Sequence, residues 1–303
     1  MVTLKKSKRI LILEGGISDE YEISKLTAKQ VFETIQSMGD VKVLEVTSNS
    51  NNFFSELKKR KPDIVFNCLH GFFGEDGQVQ SILNYLKIPY THSGVLASAI
   101  SMNKIISKKL FISNGIRTPD FFDTKIINKI NLPFPIILKP VNGGSSNGLM
   151  KLDKKSQLKS ILNKKKNVKN LLIEEFIEGR ELTVGILEDK VCGIMEIKFK
   201  EEVYDYNNKY VNIAHHILNP KLPKKIKDEL VEYSLKAHSI LNCNCISRVD
   251  YRYDEKNQKI YLLEVNTQPG LTKNSLLPEM AKSVGISFFK LCKILIENSI
   301  CEN

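Results

Sequence analysis

Short apolar runs alternate with longer amphipathic stretches over the first part of the chain. The apolar runs cover residues 8–14, 41–46 and 62–69, and the amphipathic stretches cover residues 18–39, 53–61 and 77–88. Short apolar runs between turn signals are typical of buried strands, and apolar positions three or four residues apart are typical of helices. Because strand and helix alternate, residues 1–92 are predicted to form an N-terminal α/β domain with a parallel sheet.

The pattern changes after residue 92, where several strands follow one another directly. Strands are predicted at 134–140, 148–152, 170–177, 180–187, 190–197, 245–254 and 259–266, and helices at 95–115, 155–166, 227–242 and 275–299. This succession favours antiparallel pairing, so the fold class is α/β with α+β character in the C-terminal part. We predict a central subdomain at 93–174 and a C-terminal subdomain at 175–303. The polar segment 200–223 is longer than most irregular loops. Loops of such length are usually functional or disordered.

Composition narrows the class of protein. The chain has 303 residues, 42% of them hydrophobic, which is enough for two or three compact units. No apolar run approaches the length of a membrane span, and the basic start MVTLKKSKRILILEGG favours a first strand over a signal peptide. The net charge of +11 comes mostly from lysines without interleaved arginines and aromatics, which argues against nucleic-acid binding. The six cysteines lack zinc spacing and predict buried, reduced thiols in a cytoplasmic protein.

Residues 137–152 read ILKPVNGGSSNGLMKL, a glycine- and serine-rich loop between two strand-like runs. One interpretation is an ordinary hairpin turn, because glycine, serine and asparagine dominate turns. The other is a loop that covers phosphates with backbone amides and hydroxyls. Its candidate groups are Gly143, Gly144, Ser145, Ser146 and Gly148, next to Lys139. The loop lacks the G-K-[ST] of a Walker A motif and precedes a strand, so neither a P-loop nor a Rossmann site is predicted.

Three oxygen-bearing side chains stand near the end of the chain. Glu264 and Asn266 are two residues apart on a predicted strand, so both project from the same face. If Asp250 lies on the neighbouring strand, the three side chains converge as ligands for a hard divalent cation such as Mg²⁺. Solvent-facing strand residues are the alternative, but Glu264 follows an apolar run where an unpaired carboxylate is rare.

Further candidates lie on turns and strand ends. His70 in LHGFFGEDGQVQ and Glu20 after a Gly-Gly turn follow predicted parallel strands, beyond whose carboxyl ends ligands bind. Plain turn chemistry, or a packing role for His70, explains them as well. Glu174 and Glu181 in NLLIEEFIEGRELTV are candidate acceptors for an adenine amino group and ribose hydroxyls, although exposed glutamates are common.

Taken in order, these motifs resemble the D-alanine–D-alanine ligases of the ATP-grasp superfamily over nearly the whole chain. The matching segments are GGISDEYEIS, HGFFGEDGQVQ, IPYTHSGVLASAISMNK, ILKPVNGGSSNG, IEEFIEGRELTVGI, YDYNNKY, SRVDYRYD and YLLEVNTQPGLTKNSLLP. The resemblance implies an ATP-grasp fold in which two subdomains grip ATP behind an N-terminal parallel domain. It also implies the ligation of two D-alanine molecules through a D-alanyl phosphate, for peptidoglycan precursor synthesis.

The resemblance further implies ligands for ATP and metal. The implied ATP contacts are Lys104, Lys139, Ser145 and Ser146 at the phosphates, Glu174 at the adenine amino group, Glu181 at the ribose, and Lys209. Asp250, Glu264 and Asn266 would hold two Mg²⁺ or Mn²⁺ ions. The segment 200–223 would be a lid that excludes water from the acyl phosphate.

The implied amino-acid sites complete the set. Glu20 would bind the ammonium of the first D-alanine beside His70, and Ser275 and Leu276 would receive the carboxylate of the second. Arg248 and the Gly270 amide would stabilise the tetrahedral oxyanion. Glu20, Ser145 and Tyr210 would form a hydrogen-bonded triad, and the protein would be a homodimer.

The sequence departs from the common family pattern at Asn103, Phe72, Phe73 and Asn274. None of these departures removes a group that the chemistry needs. Phe72 and Phe73 could, however, alter the affinity of the subsite for the first D-alanine. Tyr210 favours D-alanine over D-lactate as second substrate. The alternatives are a ligase for other acids, a non-catalytic nucleotide-binding protein and a basic nucleic-acid-binding protein.

Overall fold

The computed structural model describes residues 8–123, 133–144, 148–164, 170–198, 215–272 and 275–302. The strands are β1 Arg9–Gly15, β2 Asp40–Val46, β3 Ile64–Asn67, β4 Phe121–Asp123, β5 Ile136–Pro140, β6 Met150–Leu152, β7 Leu171–Glu175, β8 Arg180–Leu187, β9 Lys190–Lys198, β10 His215–Leu218, β11 Ile246–Asp254 and β12 Lys259–Asn266. The helices are α1 Tyr21–Ile35, α2 Ser50–Arg60, α3 Gln78–Tyr85, α4 Val95–Met102, α5 Lys104–Ser113, α6 Lys155–Lys164, α7 Lys224–Ile240, α8 Leu276–Ser283 and α9 Phe288–Glu297.

The first sheet is parallel, in the order β2-β1-β3, as the strand–helix alternation predicted. The central strand β1 is apolar on both faces, and residues Ile10 to Leu13 are all buried. The carboxyl ends of β1 and β3 open at one edge of this sheet. The turns that carry Glu20 and His70 follow these two strand ends and therefore lie side by side.

The second sheet has the order β4-β7-β5-β6 and is antiparallel throughout. Strands β5 and β6 form the predicted hairpin, and the glycine loop connects them. Strand β4 was not predicted, because three residues are too few for a period of two to be visible. Ile136, Leu138 and Leu158 pack one face of this sheet against α6.

The third sheet is antiparallel, in the order β10-β9-β8-β11-β12. Alternate residues of its strands, including Val184, Val249 and Tyr251, enter a core beneath α7. The residues between them therefore face the opposite side, which is where the polar candidates lie. Strand β10 lies within the segment 200–223, so this segment is not irregular along its whole length.

The predicted helix 95–115 is divided into α4 and α5 at Asn103. Asn103 has extended backbone angles, and its side-chain oxygen accepts a hydrogen bond of 3.1 Å from the amide of Ile106. This is N-cap geometry, so a new helix begins at Lys104. The prediction of one helix was wrong here because the apolar spacing continues through the break.

The C-terminal helices return to the first sheet. Leu291 and Leu295 of α9 share a core with Ile12 and Val31, so the last helix packs beside α1. The predicted terminal helix 275–299 is in fact α8 and α9, separated by a turn at Gly285, whose φ is +80°. The subdomain boundaries at 92/93 and 174/175 stay predictions.

Two further sequence predictions can be compared with the fold. All six cysteines are unpaired, as expected for reduced thiols; Cys68, Cys192, Cys245 and Cys292 are buried as predicted, whereas Cys243 and Cys301 are only partly buried. Among the described residues, no helix has the length and apolar character required to cross a membrane.

Candidate active site

A cleft with an empty volume of about 960 Å³ lies between the second and third sheets. Its floor and walls include residues from β5, β7, β8, β11 and β12, together with the start of α5 and the glycine loop. The predicted site residues that line it are Lys104, Lys139, Glu174, Glu181, Arg248, Asp250, Glu264 and Leu276. Residues spread over most of the chain therefore meet in one cavity.

The polar face of β11 and β12 carries the predicted metal ligands. Asp250 is paired directly with Glu264, and Arg248 with Asn266, in an antiparallel register. Residues opposite each other in such a ladder, and residues two apart on one strand, project from the same face. The sequence-based condition that Asp250 lies on the strand next to Glu264 is thus met, and the metal role itself stays a prediction.

Asp250 is already held by two neighbours on this face. Arg248 donates to both of its carboxylate oxygens, from Nε at 2.9 Å and from Nη2 at 2.8 Å. Thr183 on the adjacent strand β8 donates its hydroxyl to Asp250 Oδ1 at 2.6 Å. The carboxylate is therefore fixed in direction, and the arginine is held over the same part of the cleft.

Lys104 connects the glycine loop with this polar face. Its Nζ donates to the carbonyl of Gly143 at 2.5 Å and lies 3.4 Å from Glu264 Oε2. Burial lowers the pKa of Lys104, and the nearby Glu264 opposes part of that shift. A buried cation beside flexible glycines is a suitable contact for phosphate oxygens.

Glu174 lies between two lysines at the inner end of the cleft. Its Oε2 is 2.5 Å from Lys139 Nζ, and its Oε1 is in contact with Lys108 Nζ. Burial alone would raise the pKa of Glu174, but the two ammonium groups outweigh it and lower the pKa. The predicted adenine contact is thus an ionised carboxylate with cations on both sides.

Lys108 was missed by sequence reasoning. It lies one helical turn after Lys104 on α5, and its side chain is fully buried. Burial lowers the pKa of its ammonium to about 8 despite the attraction of Glu174. The available signal was a lysine four residues after another on a helix whose buried positions are otherwise apolar or small.

Arg252 was also missed, and it supports the predicted ribose contact. Its Nη1 lies 3.4 Å from Glu181 Oε2, and its Nε donates to the carbonyl of Ile177 at 3.0 Å. Its guanidinium carbon is 5.7 Å from the centroid of the Phe176 ring, a cation–π contact. Arg252 therefore joins the β7–β8 connection to the sheet face on which Glu181 lies.

A second group of predicted residues meets where the first sheet adjoins the glycine loop. His70 is buried, with Nδ1 hydrogen-bonded to Glu75 at 2.9 Å and Nε2 to Thr27 at 3.2 Å. Burial lowers the pKa of His70, and the Glu75 carboxylate outweighs this and raises it. Glu20 lies beside this turn, since a Cβ built on Gly71 would be 2.8 Å from Glu20 Oε2.

The carboxylate of Glu20 also faces the glycine loop. A Cβ built on Gly144 would lie 3.5 Å from Glu20 Oε2, and Gly144 itself lines the cleft. The Glu20 carboxylate is therefore adjacent to the cleft at Gly144. Phe73 turns away from it and packs edge-to-face on Phe53, with ring centroids 6.0 Å apart.

The third predicted group lies at the start of α8. A Cβ built on Gly270 would lie 3.0 Å from Ser275 Oγ, so these two residues are adjacent. Ser275 immediately precedes the helix, and its Oγ accepts a hydrogen bond of 3.0 Å from the amide of Thr272. The free amides at a helix N-terminus are suited to bind a carboxylate.

A buried amide pair ties this segment to the His70 turn. Asn67 at the end of β3 donates to Gln268 Oε1 at 2.9 Å, and Gln268 in turn donates to the carbonyl of Leu69 at 2.5 Å. The backbone amide of Gln268 also donates to the side-chain oxygen of Asn266 at 2.9 Å. The first sheet and the polar end of β12 are thereby held together.

Four predicted site residues, Ser145, Ser146, Lys209 and Tyr210, lie outside the described residues, as does Asn274. The described site residues fall into three adjoining groups, and the role assigned to each stays a prediction.

Two solved ligase structures resemble this fold over nearly all of their length. A D-alanine–D-alanine ligase from Bacillus anthracis, complexed with ATP, superimposes with a TM-score of 0.81 at 32% identity, covering 96% of this chain and 97% of that one. The VanG D-Ala:D-Ser ligase from Enterococcus faecalis gives 0.80 at 28% identity, covering 96% of this chain and 99% of that one. The fold is that of the ATP-grasp ligases.

Sequence relatives narrow the class further. A D-alanine–D-alanine ligase from Pelagibacter ubique is 44% identical over 97% of this chain and 98% of its own, and one from Zymomonas mobilis is 38% identical over 99% and 96%. The family models D-ala D-ala ligase N-terminus and D-ala D-ala ligase C-terminus match residues 44–93 and 113–297. The chain belongs to the D-alanine–D-alanine ligase family.

Proposed function

We propose that the chain joins two D-alanine molecules into D-alanyl-D-alanine, with conversion of ATP to ADP and phosphate. The observation that carries this proposal is the adjacency of two sites at Gly144. A cleft with buried lysines suited to a nucleotide meets the subsite of Glu20 and His70, which is suited to an amino acid. A carboxylate bound there is near the phosphates of a nucleotide in the cleft.

The reaction follows from these neighbours in two steps. A carboxylate oxygen of the first D-alanine attacks the γ-phosphorus of ATP, the bond to the β-phosphate oxygen breaks, and a D-alanyl phosphate and ADP form. Lys104 and Lys139 offset the negative charge of the phosphates. The amine of the second D-alanine then attacks the acyl carbon, and phosphate leaves with the oxygen that came from the carboxylate.

The second step needs donors for the tetrahedral oxyanion and a site for the second carboxylate. We assign Arg248, which lines the cleft, and the amide of Gly270, which is adjacent to Ser275, to the oxyanion. The N-terminus of α8, with Ser275 and Leu276, receives the carboxylate of the second D-alanine. Dipeptide and phosphate are the products.

Asp250, Glu264 and Asn266 fit a divalent cation, because two carboxylates and an amide oxygen on one face are ligands that Mg²⁺ and Mn²⁺ accept. Such a cation supplies charge neutralisation at the nucleotide phosphates. Glu264→Gln is expected to weaken Mn²⁺ binding in the presence of ADP by about tenfold or more, measured by electron paramagnetic resonance. Glu255→Gln on an exposed turn is the matched control, and equal binding by both variants would contradict the metal site.

The lid, the assembly and the cellular setting complete the proposal. By the family resemblance, residues 200–223 would form a lid over the nucleotide and Tyr210 would join Ser145 and Glu20 in a triad; Lys209, Tyr210 and Ser145 lie outside the described residues. The protein acts as a cytoplasmic homodimer in peptidoglycan precursor synthesis. D-serine is the second candidate for the second substrate, because the VanG D-Ala:D-Ser ligase is among the similar structures.

Phosphate release from MgATP with D-alanine alone, and with D-alanine plus D-serine, D-lactate or L-alanine, tests this function when products are identified by mass spectrometry. D-Alanyl-D-alanine as the main product supports the proposal. D-Alanyl-D-serine as the main product moves the second substrate to D-serine. If ATP binds but none of these compounds causes phosphate release, the chain would be a ligase for other acids.

A further inference from the structure

Lys108 is a buried lysine with two polar contacts. Its side chain is fully buried, its Nζ is in contact with Glu174 Oε1, and it donates to Thr118 Oγ1 at 2.6 Å. A buried ammonium is costly unless it is paired and hydrogen-bonded. Because no part of it reaches the surface, Lys108 cannot touch a ligand in the cleft.

Lys108 belongs to a cluster of three charges, with Glu174 between Lys108 and Lys139. Glu174 is the only carboxylate in contact with Lys108 among the described residues, and its other oxygen is bound to Lys139. Lys139 differs from Lys108 in that it lines the cleft and is placed to meet phosphates. One carboxylate is therefore shared by one cation that can reach the nucleotide and one that cannot.

Lys108 is itself held by the edge of the third sheet. Thr118, which it contacts, donates its hydroxyl to the carbonyl of Leu262 on β12 at 2.7 Å. The amide of Leu262 donates to the carbonyl of Arg117 at 2.8 Å, so the segment before the second sheet is bonded to β12. Lys108 thus ties Glu174 on β7 to the sheet on the opposite wall of the cleft.

The binding of nucleotide phosphates in the cleft would change the pairing of Glu174 with Lys139. Phosphate oxygens compete with Glu174 for Lys139, and if Lys139 leaves, Glu174 remains buried. With Lys108 in contact, the carboxylate stays ionised and paired. Without Lys108, the movement of Lys139 would leave an uncompensated buried charge, which is strongly unfavourable.

We propose that Lys108 is a positioning residue for the nucleotide, which holds Glu174 as an oriented acceptor and thereby releases Lys139 to the phosphates. The inference rests on the ATP-binding role proposed for Glu174 and Lys139. It accounts for a fully buried lysine that takes no part in the chemistry. It also assigns base selectivity to the cluster, since an ionised acceptor favours an amino group over the carbonyl that replaces it in inosine.

Equilibrium binding of MgADP by calorimetry tests the inference without any amino-acid substrate. Lys108→Met is expected to bind MgADP about tenfold or more weakly, because hydrogen bonds to charged groups contribute more than neutral ones. The ratio of its KM for ITP to its KM for ATP should fall. Its KM for D-alanine should stay within about twofold of wild type. Lys109→Met, which removes the exposed lysine next to it, is the matched control and should leave all three quantities unchanged.

Thr118→Val provides a second test that adds no unpaired charge, in case Lys108→Met does not fold. It removes the other contact of Lys108 and should raise the dissociation constant of MgADP about threefold or more. A folded Lys108→Met, or failing that Thr118→Val, with wild-type MgADP affinity and ATP preference would overturn the inference. A different combination of results separates the two proposals. If Lys108→Met binds MgADP more weakly than wild type, but wild type forms no dipeptide, the inference is supported and the proposed function is overturned.

Discussion

Arg248 and Asp250 form a two-pronged ion pair between residues two apart on one strand. The hydrogen bonds from Nε and Nη2 of the arginine measure 2.9 and 2.8 Å, and both side chains are largely shielded from solvent. The pair joins the proposed oxyanion donor to the proposed metal ligand. The direction of the guanidinium is thus fixed before substrate binds, which is the preorganisation that electrostatic catalysis requires.

Replacement of Arg248 by lysine keeps the charge and removes the planar fork. We expect Arg248→Lys to lower kcat about a hundredfold, with the KM for ATP changed little, because a lost oxyanion donor costs about that much. Steady-state dipeptide formation measures both constants. Arg9→Lys breaks a similar two-pronged pair with Asp63, far from the cleft, and serves as the control. An equal loss in both variants would remove Arg248 from the reaction.

Gly71 tests the subsite of the first D-alanine. It has a φ of +65°, and a Cβ there would meet the Glu20 carboxylate at 2.8 Å, so Gly71→Ala should displace that carboxylate. We expect the KM for the first D-alanine to rise about tenfold or more, since the charged hydrogen bond to its ammonium is disturbed. Gly285→Ala, at a φ of +80° with open space around it, carries the same backbone strain without the displacement. A matching rise in KM for Gly285→Ala would show that strain alone explains the effect.

Asn103 links helix capping to the position of Lys104. Asn103→Ala should lower the free energy of unfolding by about 1 kcal/mol and raise the KM for ATP, because α5 would no longer begin firmly at Lys104. Asn103→Asp keeps the acceptor and should be at least as stable as wild type. Urea unfolding and ATP kinetics measure the two effects. Asn49→Ala removes the cap of α2 and should cost similar stability with an unchanged KM. A KM unaffected by Asn103→Ala would refute the link.

His92 makes the fold sensitive to acid. It is buried against Phe66, with the two rings 6.0 Å apart, and burial lowers the pKa of His92 to about 3. Between that value and the ordinary pKa near 6.5, the unfolded chain binds the extra proton, so stability falls as the pH falls. Asparagine tolerates the φ of +74° at this position.

The stability advantage of wild type over His92→Asn should therefore shrink between pH 6 and pH 4 by as much as ~1.4 kcal/mol per pH unit. Chemical unfolding at several pH values measures the difference. His215→Asn makes the same replacement at an exposed position and serves as the matched control. A constant difference for His92→Asn would mean that His92 is not held neutral by the fold.

Sequence pattern alone predicts much of this architecture, and its failures have physical causes. Strands β11 and β12 were predictable because their alternation is long, and their pairing brings Asp250 opposite Glu264. The break at Asn103 was hidden because the apolar spacing runs through it. Strand β4 was too short to show a period.

The partners of buried charges were the least predictable part of the site. Lys108 and Glu174 are far apart in sequence and meet only because α5 packs between two sheets. Arg252 and Glu181 likewise meet through strand register. A helix pattern identifies which residues share a face but does not identify what that face touches, so charged residues on such a face become interpretable only with the tertiary fold.

Isotope transfer from D-alanine to phosphate tests the central claim most directly. D-Alanine labelled with ¹⁸O in its carboxylate is incubated with MgATP and the protein, and the released phosphate is examined by ³¹P nuclear magnetic resonance. The proposed acyl phosphate predicts one labelled oxygen in each phosphate formed together with dipeptide. Unlabelled phosphate would mean that the γ-phosphoryl group passes to water, and would contradict carboxylate activation by this chain.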